Sequence, residues 1–215
     1  MRVAVFGATG GTGRAVTAQA LAAGHSVTAF ARNPDRIKPA QGQSVVEGDA
    51  AMPDQVRAAV AGHDAVVISL GNSQNAFALL LGMRRTTPRD ICATGTRNIL
   101  AALPGPATPV IVVGAFGTGD TRAQLPLMFK LFYRLFLREQ MADKEQQDAV
   151  LKASSASYTL IQPVALTDKP GTGTWSATRD GTFRKSEVSR ADLAAYIVTL
   201  LADGDLHRDT VTFSG

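Results

Sequence analysis

The chain has 215 residues, of which 45% are hydrophobic and 19% charged, so it is expected to fold and not to be disordered. Its formal net charge of +4 comes from scattered Lys and Arg, which argues against a nucleic-acid-binding face. A single cysteine, Cys92, excludes an internal disulfide and a multi-thiolate metal centre. No secretory signal or apolar run long enough to span a membrane is present, so we expect a cytoplasmic protein. The three histidines lie far apart in sequence without metal-ligand spacing, so no bound metal is expected.

Short apolar runs alternate with helical segments along the chain. Strands are predicted at Val3–Phe6, Ser26–Phe30, Ser44–Val46, Ala65–Ser69, Val110–Val113, Tyr158–Ile161 and Thr210–Phe213. Helices are predicted at Thr12–Ala23, Pro53–Ala61, Asp90–Leu103, Pro126 to about Ala153, and Arg190–Ala202. This alternation predicts an α/β fold, a doubly wound parallel sheet with helices on both faces. We expect one domain over residues 1–215, in which a small C-terminal portion, roughly 164–215, covers the substrate.

A glycine-rich turn joins the first strand to the first helix. Gly7 allows a tight turn off the strand, Gly10 lets the main chain approach a pyrophosphate, and Gly13 lets the helix pack on the strand. The start of that helix offers free N–H groups and a partial positive charge to phosphates. The alternative is a turn with a structural role alone. Dinucleotide binding is predicted for Gly7, Thr9, Gly10, Gly11, Thr12 and Gly13.

The end of the second strand indicates which dinucleotide is preferred. NAD-binding sites of this fold place an acidic side chain there, on the ribose hydroxyls. This chain has Arg32 instead, which cannot accept a hydrogen bond from a hydroxyl but can form a forked contact with a 2′-phosphate. Arg36 is a second candidate contact. We therefore predict NADP(H) in preference to NAD(H), the alternative being that Arg32 is simply solvated.

Further contacts are expected where the later strands end, because ligands of such sheets lie along the carboxyl ends of the strands. Asp49 is placed to bond the adenine amino group, and the end of the sixth strand should meet the nicotinamide. The residues predicted at these ends are Asp49, Leu70, Gly71, Gly114, Ala115, Phe116, Pro163, Val164 and Leu166. The Gly- and Thr-rich segment Lys169–Lys185 is predicted to form a loop or small hairpin over the site.

The segment Leu127–Leu137 carries two apolar stripes at helical spacing. One consists of Met128, Leu131, Phe132, Leu135 and Phe136, and the other of Phe129, Tyr133 and Leu137. A helix that is apolar on two sides is buried on two sides. Three interpretations stay open: a core helix that also roofs the pocket, a homodimer contact, or association with a membrane surface.

Seven short motifs, spread over nearly the whole chain, carry a family resemblance. They are Gly7–Arg14, Ala31–Asp35, Glu47–Asp49, Gly95–Asn98, Ala142–Glu145, Tyr158–Pro163 and Ser189–Leu193. With them the chain resembles the atypical short-chain dehydrogenase/reductase superfamily. Within that superfamily it is most similar to the NAD(P)-binding NmrA-like group and its biliverdin-IX-beta and flavin reductase relatives. The resemblance implies a single Rossmann-like domain with NADPH laid across the strand ends.

The catalytic residues that the superfamily uses are altered here. Its Tyr-x-x-x-Lys motif pairs an acid with a lysine that lowers the acid's pKa. Lys144 matches the lysine, but the tyrosine position is Gln140, and Val113–Phe116 lacks the serine expected after the fifth strand. Tyr133 would be about 16 Å from Lys144 along a straight helix. Lys144 would fix the nicotinamide ribose or polarise an acceptor oxygen, or else it is a surface residue paired with Asp148.

These losses favour an acceptor that needs no enzymatic acid. The lead hypothesis is an NADPH-dependent reductase of a small electron acceptor such as a flavin, a quinone or a similar conjugated molecule. Phe116, Leu166 and Trp175 are candidates for the acceptor wall. The alternative is a non-catalytic NADPH-binding redox sensor that acts through a protein partner. A sugar-nucleotide epimerase is a third reading, which would require the missing tyrosine.

Overall fold

Alternating strands and helices build the protein, as the sequence predicts. The computed structural model describes residues 1–72, 87–125, 130, 133, 137–204 and 208–215. The strands are β1 (Arg2–Phe6), β2 (Ser26–Ala31), β3 (Gln43–Glu47), β4 (Ala65–Ile68), β5 (Val110–Val113), β6 (Tyr158–Pro163), β7 (Ala165–Thr167), β8 (Ser176–Thr178), β9 (Glu187–Ser189) and β10 (Asp209–Ser214). The helices are α1 (Gly11–Ala22), α2 (Pro53–Val60), α3 (Ile91–Ala102), α4 (Arg138–Ala153) and α5 (Arg190–Asp203).

Eight of the strands form one sheet in the order β3-β2-β1-β4-β5-β6-β10-β8. Its pairings are parallel except the last, where β8 runs antiparallel to β10. Strands β7 and β9 form a separate parallel pair. The chain leaves β1 in one direction towards β2 and β3, and the later strands extend in the other. The turn after β1 therefore lies at the point where the strand order reverses, which is where ligands bind to sheets of this type.

Alternate residues of the buried strands pack against helices on opposite faces of the sheet. Val3 and Val5 of β1 belong to a core with residues of α1 and α5. Ala4 and Phe6 belong to a second core with residues of α2, α3 and α4. Both faces of the sheet are thus covered, and the doubly wound, Rossmann-like arrangement expected from the sequence is confirmed.

Helix α5 shows how local sequence fixes an element next to the site. The Ser189 hydroxyl caps its start by accepting a hydrogen bond from the Asp192 amide at 2.9 Å. The helix ends at Gly204, whose φ of +68° is the left-handed conformation typical of a glycine stop. This places Arg190 as the first helical residue, directly after β9.

The predicted elements over the second half of the chain need two qualifications. The long helix predicted from Pro126 is observed as α4 from Arg138, and residues 126–129, 131–132 and 134–136 lie outside the described part of the chain. The two stripes of Leu127–Leu137, and with them the homodimer prediction, fall almost wholly on those residues.

The segment Lys169–Lys185, predicted as a loop or small hairpin over the site, forms no hairpin of its own. This segment instead supplies β8, which pairs with β10 at the outer edge of the sheet. Trp175, in the same segment, packs beside Tyr196 and Phe213, with ring centroids 6.4 and 6.2 Å away. It therefore belongs to the packing around α5 and β10.

Candidate functional site

The glycine turn after β1 lies tightly against the end of β4. Gly7 has a φ of +82°, and a Cβ built on it would lie 2.3 Å from the main-chain oxygen of Ser69. Gly13 is equally constrained, because a Cβ there would lie 2.2 Å from the oxygen of Gly7. Both positions adopt the geometry that the sequence predicts, a tight turn and a close helix–strand contact.

The first turn of α1 is open to an anion. Gly10 is the residue that precedes the helix, and because it has no side chain, no side-chain hydrogen bond caps the helix start. Amide groups at an uncapped helix start stay available to a ligand, and the helix dipole adds a partial positive charge at the same place. The local structure therefore offers main-chain donors where the sequence predicts a pyrophosphate.

A crevice of about 530 Å³ lies over this turn and along the carboxyl ends of the neighbouring strands. Most residues predicted for the dinucleotide border it. They are Gly7, Thr9, Gly10, Gly11, Thr12, Arg32, Arg36, Asp49, Leu70, Gly71, Gly114, Lys144 and Leu166. The sequence thus identified residues at the ends of β1 to β5, in β7 and in helices α1 and α4 that the fold brings to a single cleft.

Five predicted residues do not border the crevice, namely Gly13, Ala115, Phe116, Pro163 and Val164. Gly13 lies beneath the turn, against Gly7. Phe116 is buried in the core, where its ring meets Phe183 edge-on with centroids 5.0 Å apart. The strand ends were correctly located, but side chains alternate across a sheet, so some of them point into a core and not towards the cleft.

Several residues of the crevice were not predicted. They are Arg14, Phe30, Ala31, Gly48, Ala50, Ser69, Asn72, Thr87, Ile91, Val113 and Arg190. Most of them neighbour a predicted residue, and Arg14 ends the glycine motif itself, so adjacency was an available signal. Thr87, Ile91 and Arg190 are different, because only the tertiary fold brings them to the crevice.

Arg32 lies directly beyond β2 and is held by a buried hydroxyl. Its Nη2 donates a hydrogen bond to Oγ1 of Thr87 at 2.9 Å, and Thr87 is 3% exposed. Arg36 follows in a short 3₁₀ turn, Pro34–Arg36, and borders the same end of the crevice. Two guanidinium groups therefore lie just beyond the end of β2. Arg32 is exposed to solvent, but its contact with Thr87 orients it.

Lys144 is a clamp between two strand ends. Its Nζ donates to the main-chain oxygens of Leu70, at 2.9 Å, and of Val113, at 2.7 Å, and to Oε1 of Gln147 at 2.8 Å. An ammonium group has three donors, and all three are used here. Lys144 still borders the crevice, so it places a positive charge in its wall while tying the ends of β4 and β5 to α4.

Asp148, the alternative surface partner of Lys144, is in fact a buried residue with other contacts. It is 1% exposed, and its Oδ2 accepts hydrogen bonds from Oγ1 of Thr118 at 2.7 Å and from Nε2 of Gln162 at 2.9 Å. Its Oδ1 has no partner among the described residues. Burial raises the pKa of Asp148 above its ordinary value. The surface-pair interpretation of Lys144 is therefore wrong.

Basic side chains outnumber acidic ones among the described residues that line the crevice. Its described lining contains five basic side chains, those of Arg14, Arg32, Arg36, Lys144 and Arg190, against the single carboxylate of Asp49. The Asp49 Oδ1 accepts a hydrogen bond from the Ala51 amide at 3.0 Å, which orients the carboxylate at the end of β3. A site of this charge suits a ligand that carries several phosphate groups.

No tyrosine or histidine is among the described residues that border the crevice. Gln140 occupies the position one helical turn before Lys144 on α4. Tyr133 lines a separate cavity with Gly117 and Met141, and burial raises its pKa. The described lining of the crevice therefore contains no phenol or imidazole placed to give up a proton.

Neither a metal-binding group of side chains nor a membrane-spanning helix is found among the described residues. No three His, Cys, Asp or Glu side chains among them are grouped so that they could hold a metal ion. None of the helices in the described ranges combines the length and apolar character that a membrane crossing requires.

Comparison with known proteins places this chain in a family. The NAD(P)H-binding family model matches residues 7–204, which is most of the chain, and the chain belongs to that family. The resemblance drawn from the sequence motifs is confirmed at this level, and the matched region includes the glycine turn and all five helices described above.

Individual relatives cover nearly the whole chain at low identity. The "uncharacterized sugar epimerase YhfK" of Bacillus subtilis (strain 168) is 27% identical over 205 residues, which are 94% of this chain and 88% of that protein. The structure of ChuY, an "anaerobillin reductase" of Escherichia coli O157:H7, superposes with a TM-score of 0.79 at 23% identity, over 100% of this chain and 97% of ChuY.

A third similar protein was solved with a dinucleotide. It is a short-chain dehydrogenase/reductase from Veillonella parvula DSM 2008 in complex with NADP, with a TM-score of 0.80 and 20% identity. The match covers 100% of this chain and 94% of the Veillonella chain. At such identities the two structures establish the shared fold.

Proposed function

We propose that this protein is an NADPH-dependent reductase of a flavin, a quinone or a similar conjugated small molecule. The observation that carries the proposal is the crevice over the glycine turn, which is lined by five basic side chains but by no tyrosine or histidine among the described residues. It has the donors and charge to hold a phosphorylated dinucleotide. When bound, the reduced nicotinamide supplies a hydride.

Preference for NADPH is inferred from the end of β2. Arg32 and Arg36 border the crevice there, where a coenzyme laid over the glycine turn would carry its adenosine ribose. A guanidinium group can bind a 2′-phosphate through two parallel hydrogen bonds. The NADP complex of the Veillonella protein, which has the same fold, supports this part of the proposal.

The class of acceptor is inferred from the missing acid. Reduction of an isolated carbonyl forms an alkoxide, which needs a positioned proton donor, and Gln140 cannot provide one. A flavin or quinone delocalises the incoming charge, so water can supply the proton. In this scheme the protein contributes binding and orientation, and Lys144 contributes a fixed positive charge near the ends of β4 and β5. The reductase description of ChuY supports this choice.

One observation favours the rival function, a redox sensor that binds NADPH without turning it over. All three donors of Lys144 already face protein acceptors, so this lysine is engaged in holding the fold. The epimerase description of the Bacillus relative has less support in this chain. Such a reaction would require the tyrosine that Gln140 replaces.

A binding titration followed by a turnover assay separates these functions. NADPH and NADH are titrated by coenzyme fluorescence, and NADPH oxidation is then followed with FMN, FAD, quinones and dichlorophenolindophenol. The reductase proposal predicts tight NADPH binding and turnover with at least one of these acceptors. Tight binding without turnover on any of them would reject the reductase and favour the sensor.

A further inference from the structure

Arg190 lies across the glycine turn, although it is far from the turn in sequence. It is the first residue of α5 and borders the crevice. A Cβ built on Gly11 would lie 2.9 Å from both Cδ and Nε of Arg190. The arginine side chain therefore covers the main chain at the first residue of α1, where amide groups are open to an anion.

Neighbouring contacts hold Arg190 in this place. Its Nη1 donates to Oδ1 of Asp168 at 2.9 Å, and the two residues follow the paired ends of β7 and β9, where Thr167 lies opposite Ser189. The next residue, Ala191, accepts a hydrogen bond from Nε2 of Gln19 at 2.8 Å, which ties the start of α5 to α1. The guanidinium is thus positioned before any ligand arrives.

Asp168 occupies only part of the guanidinium. The Asp168 side chain is 86% exposed and that of Arg190 is 27% exposed. A guanidinium group has five N–H donors in a rigid fork, and the bond to Asp168 uses one of its nitrogens. The group therefore keeps donors for a second, anionic partner in the crevice that it borders.

We propose that Arg190 binds the diphosphate of the coenzyme, from the side opposite the amides of α1. The inference rests on the proposed function, since it requires a dinucleotide in the crevice. It adds to that function a contact with the coenzyme made by Arg190, which lies in the C-terminal portion of the chain and next to the glycine turn. Because the diphosphate is common to NADP⁺ and NAD⁺, the contact strengthens the binding of both coenzymes equally, unlike the contact of Arg32 with a 2′-phosphate.

The test compares the affinities of the full-length protein and its variants for NADP⁺ and NAD⁺ by calorimetric titration. Arg190→Ala is expected to weaken the binding of both coenzymes about tenfold and to leave their ratio unchanged. Arg32→Ala is expected to weaken NADP⁺ binding alone. Arg184→Ala is the matched control: it removes an exposed charge that does not border the crevice, and it should bind both coenzymes within about twofold of wild type.

A second variant guards against a folding defect. Arg190→Gln keeps two of the three side-chain methylenes and a good helix former at the start of α5, and it should show the same roughly tenfold loss. Wild-type affinity in a folded Arg190→Gln protein would overturn the role of Arg190 while leaving the proposed function intact. Failure of the wild-type protein to bind either coenzyme would instead reject the proposed function itself.

Discussion

At the scale of single residues, Arg32 is the side chain that we propose sets the coenzyme preference of the site. Its guanidinium is held by Thr87 beyond the end of β2, so a 2′-phosphate would meet an oriented fork. Arg32→Ala should weaken NADPH binding by about tenfold or more and change NADH binding by less than about twofold. Fluorescence titration with the two coenzymes measures both numbers, and NADH is the internal control. An equal loss for both coenzymes would contradict this assignment.

Gly7 is the residue on which the shape of the turn depends. An alanine there would combine an unfavourable positive φ with a contact of 2.3 Å to a main-chain oxygen that has little room to move. We expect Gly7→Ala to lower the free energy of unfolding by roughly 3 kcal/mol, measured by chemical denaturation.

Gly71 provides the matched control for Gly7. It borders the same crevice, but a Cβ on it would meet no atom of the described residues within 4 Å. Gly71→Ala should therefore change the unfolding free energy by less than about 0.5 kcal/mol. If the two variants were equally stable, the strain argument for Gly7 would be wrong.

At the scale of elements, α4 joins the strand ends through buried polar contacts. Lys144→Met would leave the main-chain oxygens of Leu70 and Val113 without their shared donor. We expect a loss of about 2–4 kcal/mol in unfolding free energy, because two part-buried carbonyls lose a charged hydrogen-bond donor. Lys152, on the same helix, pairs with the exposed Asp120, and Lys152→Met should cost less than about 1 kcal/mol. Equal losses of unfolding free energy in the Lys144→Met and Lys152→Met variants would show that Lys144 does not hold the strand ends together.

Asp148 makes stability depend on pH. Burial raises its folded-state pKa, while Lys144 and Lys152 oppose that shift. Since the folded state then holds the proton more tightly than the unfolded state, the free energy of unfolding falls as pH rises from about 3.8, the ordinary pKa, through the raised one. Asp148→Asn has no such proton to lose.

The melting temperature measured against pH tests this prediction. The variant should gain stability relative to wild type as pH increases, and the gain should be smallest in acid. Asp54→Asn changes an exposed carboxylate of α2 and should keep the wild-type profile. A constant difference between Asp148→Asn and wild type at every pH would contradict the raised pKa.

The elements were largely predictable from the sequence, because each is encoded locally. Val110–Val113 is a run of four β-branched residues and was located without error, and Ser189 correctly marked the start of α5. Strand β8 was missed, since Ser176–Thr178 has no apolar alternation and exists through its pairing with β10. Arg190 was missed for a related reason: its contact with the glycine turn depends on how α5 packs on α1.

For the whole molecule, the sheet collects charges from distant parts of the chain at one cleft. Arg14, Arg32, Arg36 and Arg190 come from three separate segments, yet all border the crevice over the turn after β1. No single segment is strongly basic, and the net charge of +4 gave no hint of this concentration. The phosphates of the dinucleotide that we propose as ligand would lie close to these positive charges.

The most direct test of the account is a crystal structure of the protein grown with excess NADPH. We predict the diphosphate at the amides that open α1, with Arg190 on its other side, and the 2′-phosphate at Arg32 and Arg36. A crystal in which NADPH lies elsewhere, or in which side chains fill the crevice under saturating NADPH, would contradict the account.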